Sequence, residues 1–407
     1  MRFVIIGNGI AGITAARTIS ATAPDAKVEI YTDDPHPYYW RPRLLELLSG
    51  RVSIESMYAY PVEWYAERGI GVHLATELRA IDRSATKVLF GDGKEASYGR
   101  LLLAIGSRPF VPPVEGAEKD GFFSLRSMED ALAIKSYAER SLSAGSREAV
   151  VVGGGLLGLE SANALTSLGM QVMVLEHGPR LLHKQLDREG ATMLQQRIER
   201  LGIAVAVNAV PEAVLGNDRV SGVRLQGGQV LSGSLVLCST GVRPNIDLAR
   251  AAGLAVNRGI LVDSQMRTSA EDVYAAGDVA EYEGELPCII PVAVQQARVA
   301  AANMVEPGSA AYHGAVPLTT LKIMGIDLAS IGLVAPQEEG YEELRSTDHV
   351  KGVYRKLVLR DGRIVGAILL GDKKRVPPVS KLIEQGVDVS AYGDRLLGDD
   401  FDLQAIT

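Results

Sequence analysis

The sequence predicts an α/β protein of two Rossmann-like nucleotide-binding domains followed by a small α+β C-terminal domain. Three observations predict it. A strand, a glycine-rich turn, a helix and a second strand open the chain, and the same series returns from Ala149. The sequel to each copy is echoed as well: Leu101 to Ala104 with Gly106-Ser107-Arg108-Pro109 reappears as Leu235 to Cys238 with Gly241-Val242-Arg243-Pro244. From about Val316 the texture changes to apolar runs paired around a tight turn.

Taken in order, Phe3 to Ile6 is a short apolar strand, Gly7 to Gly12 a turn, Ile13 to Ala21 a helix and Val28 to Tyr31 a second strand. In the second copy Ala149 to Val152, Gly153 to Gly158, Leu159 to Leu168 and Val172 to Leu175 take the same parts. A glycine hairpin precedes the last strand of each copy, at Gly91-Asp92-Gly93 and Gly227-Gly228. Val273 to Asp278 follows, then a helix from Pro291 through Asn303, with proline favourable in its first turn. Tyr354 to Leu359 and Ile364 to Leu370 flank Arg360-Asp361-Gly362-Arg363 and read as a β-hairpin. The acidic tail at Asp399, Asp400 and Asp402 is expected to be solvated.

Composition bounds the function. A net charge of −7 argues against a nucleic-acid role, which calls for a basic excess. The two cysteines, Cys238 and Cys288, exclude a disulfide framework and any CxxC metal or redox pair, so a reducing, cytoplasmic setting and no metal are expected. Met1 to Arg17 reads as strand, turn and helix rather than a secretory leader, and no apolar run is long enough to span a bilayer.

A single GxGxxG carries little weight in a glycine-rich chain. Two in the right context carry much more. Gly7-Asn8-Gly9-Ile10-Ala11-Gly12 follows a strand, opens a helix and has Asp33 and Asp34 downstream; Gly153-Gly154-Gly155-Leu156-Leu157-Gly158 does the same with Glu176. The first glycine makes the turn, the second admits a diphosphate to the backbone, and the third lets helix and strand pack closely. The anion then meets the free amides of the helix N-terminus. The strand-end carboxylate accepts hydrogen bonds from a ribose. At Glu176 such a carboxylate would repel a 2′-phosphate, so NADH is expected over NADPH, although His177 and Arg180 stand nearby.

These motifs resemble those of the FAD-dependent pyridine nucleotide-disulfide oxidoreductases, over nearly the whole chain. The resemblance is specifically to the branch holding NADH:rubredoxin oxidoreductase, the flavin-binding part of nitrite reductase large subunits, and ferredoxin reductases of oxygenase systems. The resemblance implies that Gly7, Gly9, Ile10, Ala11 and Gly12 bind FAD, with Asp33 and Asp34, and that Gly153, Gly155, Leu156, Leu157 and Gly158 bind NAD with Glu176. Gly277 and Asp278 would complete the FAD site, Asp278 on the ribityl chain. Ala104 and Gly106, in the first ATG-like strand, and Arg108 just after it would also bind FAD, and Gly241, in the second such strand, NAD. The helix after Pro291 would aim its N-terminus at the flavin pyrimidine edge through the backbone of Val294 and Gln295. Pro37 to Leu44 is similar to the Tyr-x-Arg-Pro-x-Leu segment of the branch, which makes Arg41 an FAD contact. The domains implied are 1-112 with 243-315 for FAD, 113-242 for NAD and 316-407 at the C-terminus.

In the disulfide reductases a redox-active cysteine stands near that segment, and here none does. The lysine that pairs with a glutamate in the ferredoxin reductases is replaced by Glu46, so the matching Glu160 either meets Arg43, lines the nicotinamide pocket or is a solvated helix residue. The activity expected is hydride transfer from NADH to FAD, then electron transfer to an external carrier, rubredoxin or a ferredoxin. Arg41, Arg43, Arg51 and Lys373-Lys374-Arg375, with Lys322 as a weaker candidate, would form a cationic docking patch. Competing readings are an NADH oxidase or diaphorase and a redox-sensing flavoprotein subunit. A membrane quinone reductase would want a longer amphipathic anchor than Ser380 to Gln385. A monomer or homodimer is expected.

Overall fold

Short apolar runs separated by glycine turns can bury both faces only as parallel strands under covering layers, and the computed structural model shows this arrangement twice. It describes residues 1–314, 325–336 and 338–406 in full and the backbone of 318–323. The chain divides into two compact units: Met1–Arg43, Val52–Pro109 and Val242–Ala315 form one, and Leu44–Arg51, Phe110–Gly241 and Val316–Thr407 the other.

In the first unit the parallel order is Val273–Ala275, Arg100–Leu103, Arg2–Ile6, Lys27–Tyr31, Ile70–His73. Alternation along the strands sorts the core. Phe3, Ile5, Ile30 and Leu102 pack with residues of the helices Ile10–Thr22 and Ile290–Val305, whereas Val4, Ile6, Leu101 and Leu103 pack with a meander of Leu78–Asp82, Lys87–Phe90 and Glu95–Ser97. Each such side chain stabilises the fold by roughly 1.5–3 kcal/mol through the apolar area removed from water.

The second unit repeats the plan. Its parallel order is Ala204–Val207, Gln171–Glu176, Glu148–Val152, Leu235–Cys238, Phe122–Ser124, and its meander is Pro211–Leu215, Gly222–Leu225, Val230–Ser232. The short helix Leu44–Leu48 packs in this unit, with helices Met128–Ser143 and Leu156–Ser167. A five-stranded antiparallel sheet ends the chain, ordered Leu318–Ile323, Ile326–Gly332, Arg363–Leu370, Val353–Arg360, Glu342–Asp348. Its expected hairpin is present. Asp361 and Gly362 both take positive φ, 49° and 71°, the geometry of a two-residue primed turn.

The echoed segments meet in the first unit, where Ser107–Pro109 pairs antiparallel with Val242–Pro244 and Arg108 lies opposite Arg243. The tail departs from expectation. Asp399 is not simply solvated but pairs with Lys351 at 2.9 Å and Arg355 at 2.6 Å. The domain boundary expected at Val316 and the side chain of Lys322 lie outside the described residues. Among the described residues, no helix is long and apolar enough to cross a membrane.

Candidate dinucleotide-binding sites

A helix begins with amides that lack a partner in the helix, and long helices ordinarily satisfy some of them with a side chain. Two here do so. Ser127 and Asp130 form a reciprocal capping box on Met128–Ser143, and Asp187 accepts from Gly190 N–H at 3.0 Å to cap Arg188–Arg200. The helices Ile10–Thr22 and Leu156–Ser167 start without a side-chain cap and without an acidic residue in the first turn. Both are left open to an anion.

The glycine turns have the shape that anion needs. A Cβ on Gly7 would lie 2.3 Å from Ala104 O, and one on Gly12 1.9 Å from Gly7 O; for Gly153 and Gly158 the corresponding distances are 2.2 Å to Ser239 O and 1.9 Å to Gly153 O. These four glycines are fixed by close backbone approach. A Cβ on Gly155 would meet nothing within 4 Å, and one on Gly9 would meet only Arg41 Nη1, at 3.1 Å. The middle glycines therefore border open space. Ile10, Ala11, Leu156 and Leu157 are the first helical residues, and Leu156 and Leu157 remain 37% and 40% exposed.

Around the first turn the structure gathers several expected residues. Arg41 leans over Gly9, lies 3.5 Å from Asp34 and stacks on the Tyr39 ring, while its buried Nε has no hydrogen-bond partner. Asp34 also accepts from Tyr39 O–H and His36 N–H, each at 3.0 Å. Burial, helped by Asp34, pushes the Tyr39 phenol up to about 12, so it stays a donor. Asp33 is exposed. Strand register gives the reason: Ile6 pairs with Tyr31 and Val152 with Leu175, so the position matching Glu176 is Thr32. Asp278 accepts from Ser107 O–H at 2.7 Å, and Gly277 N–H donates to Gln296 Oε1 at 3.0 Å. Gly106 takes φ +62°. Arg108 is exposed, bonds Asn245 at 3.2 Å and pairs with Asp247 at 3.2 Å.

One backbone assignment is corrected. The helix starts at Ile290, so Val294 and Gln295 fall in the second turn, where amides belong to the helical ladder. The first-turn amides are those of Ile290 and Val292, since Pro291 has none and Ala293 already bonds Ile289 O at 3.0 Å. This helix too lacks a side-chain cap.

In the second unit Glu176 is 3% exposed and held by amides. Its Oε2 accepts from Gly154 N–H at 2.8 Å, its Oε1 from Gly178 N–H at 2.7 Å, and His177 Nδ1 stands 3.0 Å away. Arg180 is spent on the carbonyls of Leu186 and His183, at 3.1 and 3.2 Å. Gly241 takes φ +111°. Glu160 lies half-buried on helix Leu156–Ser167.

The cysteines and the basic cluster complete the placement. Neither cysteine is in a disulfide: Cys238 is buried in its strand, where burial raises its pKa, and half-buried Cys288 has φ +52° with Sγ 3.8 Å from Asp278 O. Lys373 and Lys374 are exposed, but Arg375 is buried and bonds Leu396 O and Gly398 O, so it is a structural residue and not a docking cation.

The motif reading missed Asn8, Tyr65, Thr32 and Gln296. Buried Tyr65 joins the glycine turn to the Tyr38 segment by exchanging hydrogen bonds with Asn8 at 3.0 and 3.2 Å and accepting from Tyr38 N–H at 2.9 Å. Nothing in the local sequence marks that link. Gln296 could have been found from helical periodicity, because it shares the buried face with Ala293 and Ala300.

Two open anion turns on two Rossmann sheets, one backed by an amide-held carboxylate, define a protein of the two-dinucleotide oxidoreductase class. The chain belongs to the pyridine nucleotide-disulphide oxidoreductase family, whose model matches residues 1–301. A rubredoxin NAD+ reductase C-terminal domain matches residues 317–387. The chain is 33% identical to nitrite reductase [NAD(P)H] of Bacillus subtilis over 96% of its length and 48% of that protein, so it spans about half of that relative. It is 31% identical to NADH-rubredoxin oxidoreductase of Clostridium acetobutylicum over 94% of both chains. The crystal structure of NADH:rubredoxin oxidoreductase from Clostridium acetobutylicum covers 95% of each chain with a TM-score of 0.80 at 29% identity. Putidaredoxin reductase in its covalent complex with putidaredoxin covers 100% of this chain and 97% of its own, with a TM-score of 0.87 at 26% identity.

FAD and a nicotinamide dinucleotide are the groups this family implies, and the residues fit them. The uncapped helices, the glycines that tolerate no Cβ, and the unpaired Arg41 Nε all suit dinucleotide phosphates.

Proposed function

We propose that the protein is a flavin-dependent NADH oxidoreductase that delivers electrons to a small iron-sulfur or rubredoxin-type carrier. The observation that carries this reading is the pair of uncapped glycine turns, of which the second presents Glu176 rather than a free arginine. The chemistry supplied by a bound flavin is the conversion of a two-electron hydride into single electrons.

The chain's own residues bind and orient. Gly7, Gly9 and Gly12, with Arg41, hold one diphosphate against the helix from Ile10, and Gly153, Gly155 and Gly158 hold the other against the helix from Leu156. Glu176 retains lone pairs for a ribose hydroxyl after accepting its two amides. Asp278, fixed by Ser107, meets the ribityl chain, and the amides of Ile290 and Val292 favour negative charge at the flavin edge. Glu160 lines the nicotinamide side. This assignment keeps the division 1-112 with 243-315, 113-242 and 316-407, and a reducing, cytoplasmic compartment.

The test is anaerobic reduction of the purified holoprotein by NADH, followed by rapid mixing with rubredoxin, a ferredoxin or oxygen. Fast oxidation by a carrier supports the proposal. Reoxidation by oxygen alone makes the protein an NADH oxidase, and a reduced flavin that turns over with none of them makes it a sensor. Protein that takes up no flavin overturns every version.

A further inference from the structure

The loop between Glu176 and Asp187 is pinned along its course, and the pin at its far end comes from the C-terminal sheet. At the near end Asn208 N–H bonds Gly178 O at 2.9 Å and Ala209 N–H bonds Glu176 O at 2.9 Å. In the middle Leu182, at φ +48°, donates its N–H to Gly154 O at 3.1 Å, which ties the loop to the second glycine turn. Arg180 then bonds Leu186 O, so the carbonyl next to Asp187 fixes the guanidinium that braces the loop. Asp187 itself caps helix Arg188–Arg200 with one oxygen.

Its other oxygen accepts from Tyr354 O–H at 2.6 Å and stands 3.5 Å from Lys356 Nζ. Lys356 is 2% exposed, pairs with Glu343 at 2.7 Å and donates to Val334 O at 2.9 Å. Tyr354 is fully buried, and its ring fills the space beside Gly190, where a Cβ would come within 3.2 Å. Thr347 adds a hydrogen bond to Glu189 at 2.5 Å. The buried Tyr354 hydroxyl and Lys356 ammonium favour this one geometry, because the alternatives leave them unpaired away from water.

We infer that Tyr354 and Lys356 are positioning residues for the dinucleotide site: through Asp187 they set the loop that carries His177, Arg180 and Leu182 around Glu176, and with it affinity for the adenosine half of the nucleotide. The inference rests on the assignment of the second glycine turn to NADH. It makes the C-terminal domain part of the nucleotide site by mechanical support, without contact to the ligand.

The experiment is calorimetric titration of the full-length holoprotein with ADP-ribose, alongside steady-state kinetics with NADH. Tyr354→Phe is expected to raise the ADP-ribose Kd and the NADH KM together, by about fivefold for one lost charge-assisted hydrogen bond, with kcat within about twofold of the parent. Asp187→Asn keeps a competent cap but cannot serve Gly190 and Tyr354 with equal strength; its effect should match, and the double variant should show no further loss. Tyr392→Leu, which disturbs a Tyr392–Phe401 ring contact of 5.4 Å elsewhere in the C-terminal domain, should lower the melting temperature and leave Kd alone. An unchanged Kd in Tyr354→Phe, or an equal shift in Tyr392→Leu, overturns the inference. If the parent fails to bind ADP-ribose, the NADH assignment falls first and this inference with it.

Discussion

Gly12 shows how little freedom the diphosphate turn leaves to a single residue. Its missing Cβ would sit 1.9 Å from Gly7 O, so the helix must shift before Gly12→Ala can be accommodated. The variant should purify with about a tenth or less of the parent's flavin per chain, measured by visible absorbance, because a displaced helix N-terminus loses its grip on the phosphates. Glu176 has the complementary weight. Glu176→Ala leaves the Gly154 and Gly178 amides without their acceptor, and we expect the NADH KM to rise about tenfold or more while NADPH loses less, narrowing the preference in steady-state assays. The glycines and Glu176 were legible because each motif position answers a backbone requirement. Thr32 was not, since the acidic pair Asp33 and Asp34 directly after it offers a more obvious ribose partner and strand register alone tells them apart.

At the scale of elements, the strands and helices of both Rossmann copies follow the apolar pattern to within a few residues, and the hairpin at Asp361-Gly362 is where its turn residues require. What the pattern could not supply was contact across the sequence. Tyr65 lies 57 residues from Asn8 and its hydroxyl joins three elements. Tyr65→Phe should lower stability by about 1–3 kcal/mol, read from the denaturant midpoint, because Asn8 and the Tyr38 amide are left buried and unpaired. Flavin retention should fall with it. At the helix of Ile290 the boundary is not the reason: whether the start is Ile290 or Pro291, Val294 and Gln295 lie past the first turn, and their amides belong to the ladder.

For the whole molecule, charge was the hardest property to read. The basic run at 373–375 looked uniform, yet Arg375 is buried among carbonyls while Lys373 and Lys374 face solvent. Lys373→Glu with Lys374→Glu should slow carrier reduction and flatten its dependence on salt without altering reduction by NADH, as rapid-mixing traces at several ionic strengths will show. The tail behaves differently. Hydrogen bonds from Lys351 and Arg355 hold the Asp399 carboxyl down to about 2, below its ordinary 3.8. A depressed carboxyl stabilises the fold above its unfolded value and loses that contribution as pH falls through the folded one. The melting-temperature gap between parent and Asp399→Asn should therefore be present at pH 6 and shrink as pH falls from about 4 toward 2.

The pairing of Ser107–Pro109 with Val242–Pro244 has a consequence for synthesis. The strand Val273–Ala275, which borders Arg100–Leu103, leaves the ribosome long after the rest of its sheet. Everything from Phe110 to Gly241 emerges in between. A nascent chain must keep the exposed edge of an unfinished sheet out of trouble while a guest module is made. Flavin loading must then wait for the strand at Val273, and the nicotinamide-binding half waits longer, because the Tyr354 and Lys356 that brace its loop emerge later still.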